Sequence, residues 1–143
     1  MQMAQQFWAM GDVDVRVENA KAVIDSWDTV FTALSAEPRR QLVVSLSDAP
    51  PGETVALPES ARNPNVPIVL AEFRLRLRHV HLPLLADCGF IDWQREPFVA
   101  ARGPQFDEIA IVLESLQRTA GDIPDSLVVG CQRLEQDRQS NEQ

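Results

Sequence analysis

The sequence predicts a mainly α-helical fold with one small β-hairpin, and three observations carry that expectation. Apolar residues recur at helical spacing in four stretches, near 23–34, 37–46, 68–88 and 106–116. Only one pair of runs alternates and pairs like strands, 90–93 and 98–101, joined across 94–97. Glycine and proline cluster between these stretches, at DAPPG (48–52), Gly89, Gly103–Pro104 and Gly121, where helices must stop.

Each element has its own signal. Residues 1–21 open with a polar, glutamine-containing run and then VDVRVE, whose alternation hints at a short strand without a nearby partner; the segment is expected to be weakly ordered. Val23, Trp27, Val30, Phe31 and Leu34 set the face of a first helix, with Asp25 and Asp28 near its start. Ser35 reads as the N-cap of a second helix, with Pro38 in its first turn and Leu42, Val43 and Leu46 on one face. Leu57 and Pro58 open at most a short turn through Glu59, Ser60 and Ala61, because Pro64 and Pro67 prevent a longer helix. Phe73, Leu77, Val80, Leu84 and Cys88 form the expected stripe of a long helix ending at Gly89, and Pro83 predicts a kink near His81 because it cannot bond the carbonyl of His79. Pro97 places the hairpin at an exposed edge. Phe106, Ile109, Val112, Leu113 and Leu116 line a last amphipathic helix, and residues 121–143 read as a polar tail with too little apolar surface to bury.

Composition narrows the function classes. The 143 residues, 45% of them hydrophobic, suffice for one ordinary core. Twelve of the thirteen basic residues are arginine, Lys21 being the exception, against twenty-one acids and a net charge of −8. Only residues 70–102 are net basic, with five bases against four acids, so an anionic partner is expected there. No apolar run approaches a membrane span and no basic leader precedes one, which leads to the expectation of a cytoplasmic protein without a membrane partner. Cys88 and Cys131 lack paired spacing and read as reduced thiols. His79 and His81 diverge on a helix and Cys88 lies seven residues on, so no metal site is expected. No nucleophile with a base beside it and no glycine-rich phosphate loop is present; neither enzymatic activity nor a cofactor is expected.

A cationic helix, a glycine stop and then a hairpin follow the order of a winged helix-turn-helix. The strings TVFTALSAEPRRQLVVSL and HVHLPLLADCGFIDW resemble haloarchaeal winged-helix domains that are similar to ArsR-type transcriptional regulators, over about residues 26–116. Leu34, Ser35, Glu37, Arg39 and Arg40 match the start of that family's second helix. His81, Leu82 and Leu85 match the second half of its recognition helix, where both leucines are core. The resemblance implies a three-helix core, a wing and a C-terminal helix over 22–120, together with DNA binding. The proline-rich stretch 58–67 departs from the pattern, standing where the first helix of the helix-turn-helix belongs.

The resulting expectation is a DNA-binding transcriptional regulator that contacts duplex DNA through Arg39, Arg40, Arg74, Arg78, His81 and Arg95. Arg74 and Arg78 share a helix face, while Arg76 lies about 200° from Arg74 and points elsewhere. The face of Phe106, Ile109, Val112, Leu113 and Leu116 has two open roles, a homodimer interface or packing back onto the first helix. The alternative function, from another class, is a winged helix that has lost DNA binding and serves as a protein-interaction or dimerisation module.

Overall fold

The computed structural model describes residues 2–128 and 131–142, with side chains placed for 14–128 and 131–141. The chain divides into two compact units, Met1–Thr32 and Ala33–Gln143. The first unit is a single helix, α1 (Gln2–Leu34), whose last residues enter the second. The alternating VDVRVE run lies inside α1 and is not a strand: no proline interrupts the sequence before Pro38, and an isolated alternating run has no ladder to join. Helix therefore begins at Gln2 rather than near residue 22.

The second unit is built around α2 (Glu37–Asp48), which buries Leu42, Val43 and Leu46. Ala36, not Ser35, occupies its N-cap; the Ser35 hydroxyl instead accepts a hydrogen bond from Arg39 Nη2 at 3.1 Å. After the DAPPG turn, Val55–Ala56 form a strand, β1, which the sequence does not announce because two residues give no periodicity. One 3₁₀ turn at Glu59–Ala61 follows, as the prolines require. Asn63 is buried behind it, donating from Nδ2 to Glu37 Oε2 at 2.8 Å and accepting from Asn65 N at 3.0 Å.

A continuous helical rod spans α3 (Leu70–Arg76), a π turn (Leu77–His81) and α4 (Leu82–Asp87). Pro83 has no amide to offer the His79 carbonyl, and the chain absorbs this by widening one turn, with Leu82 N–H bonded to the Leu77 carbonyl five residues back. The wide turn also moves the buried face. An α-helical stripe from Leu77 would continue through Val80 and Leu84; in the rod it continues through Leu82 and Leu85, and Val80 is exposed. Gly89, at φ +79°, ends the rod: its N–H bonds Ala86 O at 2.9 Å and Phe90 N–H bonds Leu85 O at 3.0 Å, with Phe90 and Leu85 both buried.

The hairpin is β2 (Ile91–Gln94) and β3 (Val99–Arg102), and β1 completes a three-stranded antiparallel sheet in the order β1-β3-β2. Trp93 faces Ala100 on one side of β3 and Val55 faces Ala100 on the other. β3 is thus the central strand, and Pro97 lies in the turn before it, so the expected edge position holds for β2 alone. Gly103 closes the sheet against the rod's end; a Cβ there would lie 2.5 Å from Gly89 O and 2.7 Å from Ile91 N.

α5 (Phe106–Arg118) packs on α2, placing Phe106 and Ile109 in the core with Leu42, Leu46, Leu77, Leu82 and Phe90. The tail is folded, contrary to expectation. A 3₁₀ turn at Ala120–Asp122, α6 (Asp125–Val128) and α7 (Gln132–Glu142) follow, and α7 packs on that turn and on α5. Few apolar groups hold it, chiefly Ala120 and Val128; arginines do the rest. Arg138 donates to Asp125 Oδ1 at 2.7 Å and to the carbonyls of Ala120 and Ile123, while Arg133 forks onto both oxygens of Asp48. Among the described residues no helix is long and apolar enough to cross a membrane.

Candidate nucleic-acid interface

The six expected DNA contacts separate into two groups once their side chains are placed. Arg39 faces inward from α2 and is 6% exposed. Its Nε donates to Ala33 O at 2.8 Å, its Nη1 lies 2.8 Å from His81 Nδ1, and its Nη2 reaches Ser35. A buried guanidinium needs such acceptors, because desolvating it without them is prohibitive. Arg39 therefore joins the end of α1 and the start of α2 to the π turn, and it is not available to a phosphate.

His81 is half-buried at the other end of this contact. Burial first, then the charges of Arg39 and Arg76, push its pKa below the ordinary 6.5. The ring is consequently neutral near pH 7, with Nδ1 accepting from Arg39 and the proton on Nε2. Burial and the neighbouring Arg40 lower the pKa of Arg39 itself, from a value so high that it stays charged. Cys88 belongs to the same neighbourhood: burial and Asp87 raise its thiol pKa, which keeps it protonated and unreactive.

Arg78, expected beside Arg74 on a free face, is half-buried against the hairpin. Its guanidinium carbon lies 5.0 Å from the centroid of Phe98, which in turn meets Trp93 edge-on at 6.3 Å. Its Nε is sealed from solvent and has no hydrogen-bond partner among the described residues. This stack fixes the hairpin to the rod, so most of Arg78's effect is on packing.

Arg40, Arg74 and Arg95 remain exposed. Arg40 caps the end of α1 through Nη1 to Leu34 O at 2.6 Å. Arg74 sits on α3, and Arg95 in the turn between β2 and β3. Arg76 and His79 complete the outer surface of the rod; both are exposed and neither is among the expected contacts. On an α-helix Arg74 and Arg76 diverge by about 200°, which argues only against a shared face. Among the described residues, Arg74 and Arg76 are in no ion pair.

The expected dimer face is mostly closed by its own chain. Phe106 and Ile109 are core, because α5 lies on α2, and Val112 and Leu113 are half-buried. Leu113 and Leu116 line an open groove of about 760 Å³, with Val44, Ile123, Leu127 and Leu134 among its walls and Glu37 and Arg40 at its polar margin. Among the described residues no group of three or more histidine, cysteine or acidic side chains stands together as metal ligands. Compared with known proteins, the chain matches no family model, no curated protein and no solved structure.

Proposed function

We propose that the chain is a DNA-binding transcriptional regulator of winged-helix type, which docks the outer surface of the rod 70–87 on duplex DNA. The observation that carries this reading is the state of Arg74 and Arg76: exposed, in no ion pair among the described residues, and leaving α3 in divergent directions. A helix lying in the major groove has a phosphate strand on each flank, so divergent arginines suit it better than a single cationic face. The order of parts adds support, since the rod is followed at once by the β2–β3 hairpin, with Arg95 at its tip as a second point of contact. Fluorescence anisotropy with duplexes enriched from random sequence, run across a salt series, tests it. The expected result is binding that weakens linearly in log salt, and absence of binding at every salt concentration refutes the reading.

A second reading is a protein-interaction module of the same architecture. It is favoured by the apolar side chains exposed along the same rod and its approach, Val69, Leu70, Leu75 and Val80. These fit a protein surface better than a phosphate backbone.

A further inference from the structure

α1 is a helix about 50 Å long standing as a unit of its own, and it leaves large apolar side chains uncovered. Val17, Ile24, Trp27 and Phe31 are each about half exposed, at 47, 58, 48 and 60%. Isolated helices owe their stability mainly to packing of an apolar face, and these side chains stand exposed. Among the described residues, four of the six exposed large apolar side chains of α1 fall on one line, Val15 and Val23 lying off it. Val17, Ala20, Ile24, Trp27 and Phe31 are spaced three, four, three and four apart, which is the a/d repeat of a coiled-coil seam, and the same spacing runs back in the sequence to Val13 and Met10. Trp27 and Phe31 already stack along it, centroids 5.6 Å apart.

From this seam we infer that α1 pairs with α1 of a second copy of the chain, as an antiparallel two-stranded coiled coil. The flanking charges select the partner and its direction. Asp14, Lys21 and Asp28 hold the e positions and Arg16 holds a g position. A parallel pair sets Arg16 of each copy against Lys21 of the other, two repulsive contacts. An antiparallel pair centred between Ile24 and Trp27 sets Lys21 of each copy against Asp28 of the other, two attractive ones. In that register Ile24 meets Trp27, and the small Ala20 meets the large Phe31, so volumes as well as charges are complementary. The helix thus recognises itself, and the inferred surface replaces the largely buried face of α5 as the place where two copies meet. It does not rest on DNA binding: a monomer that binds DNA overturns it and spares the regulator reading, and a dimer that binds none does the reverse.

The test is the solution mass of the full chain by sedimentation at tens of micromolar, in moderate and in high salt. The wild type is expected at twice the chain mass in both, because the seam is apolar. Ile24→Asp is expected to halve that mass while the thermal transition of the second unit stays in place, which separates lost pairing from lost folding. Lys21→Glu and Asp28→Lys should each raise the dimer dissociation constant by about tenfold, and the two together should restore it. A parallel pair predicts the opposite for Lys21→Glu, since Arg16 then gains a carboxylate. A monomeric wild type, a dimeric Ile24→Asp protein, or tighter association of Lys21→Glu each overturns the proposal.

Discussion

α2 and α3 each carry arginines close together in sequence, and the two helices use them in different ways. On α2, Arg39 is buried and its guanidinium is taken up by a carbonyl, a hydroxyl and an imidazole. On α3, Arg74 and Arg76 project into solvent and, among the described residues, meet no carboxylate partner. Arg102, Arg133 and Arg138 side with Arg39: Arg102 bonds the carbonyls of Leu46, Ser47 and Ala49 at the end of α2 and lies over Phe106 at 4.9 Å. In a chain with almost no lysine, arginine does structural work that caps and hydrophobic contacts do elsewhere. A flexible point charge cannot supply several donors in a fixed plane to several carbonyls. Only the cations left over from this work are candidates for a partner.

Arg39→Met, which keeps the volume and removes the donors, should have the largest effect. The Ala33 carbonyl loses a buried donor, and a loss of about 3 kcal/mol is expected in urea unfolding. A loss under about 1 kcal/mol would place Arg39 with the surface arginines. Arg102→Ala should follow at about 2 kcal/mol, because it leaves the last carbonyls of α2 without their cap and bares Phe106.

His81 sharpens the same contrast through pH. Its folded pKa is depressed, so the unfolded chain takes up the proton first as pH falls. The stability that neutral His81 contributes is complete above the ordinary 6.5 and is lost as pH falls through the lower folded value. Thermal midpoints measured from pH 7.5 to 4.5 should therefore decline more in the wild type than in His81→Gln, which can still accept from Arg39 but does not titrate. Equal declines would remove His81 from the set of structural contacts. Arg133→Ala should cost less again, about 0.5 kcal/mol, since both Arg133 and Asp48 are more than a third exposed. Its small effect will lie in the docking of α7, best seen in amide exchange.

Much of the architecture was legible in the sequence, and the failures share causes. The start of α2, the short turn before Pro64, the hairpin and the glycine stop at Gly89 all follow from residues whose backbone chemistry is restrictive. Periodicity misplaced the rod's buried face because Pro83 widens one turn, and a pattern rule with fixed spacing cannot anticipate an extra residue. β1 leaves no mark on the sequence because a two-residue strand exists only through its partner, Val99–Ala100. Hydrophobicity alone does not register the folded tail, because Arg133 and Arg138 hold it through carbonyls and carboxylates. The candidate site was least legible. Exposure of an arginine is a tertiary property, and Arg39 and Arg40 are adjacent in sequence with opposite fates.

The smallest expected effect on stability belongs to the double variant Arg74→Ala, Arg76→Ala, and it is the most informative about function. Both side chains are exposed and make no ion pair among the described residues, so the thermal midpoint should stay within about 1 °C. If each arginine neutralises one phosphate, duplex affinity should fall and the slope of log affinity against log salt should shrink by about two units. Arg78→Ala, by contrast, should lower the midpoint by uncovering Phe98, and any loss of binding it causes has to be read after that loss of stability. A double variant that binds duplex as tightly as the wild type, with the same salt slope, would leave α3 as spectator. The exposed apolar residues of the rod would then carry the argument toward a protein partner.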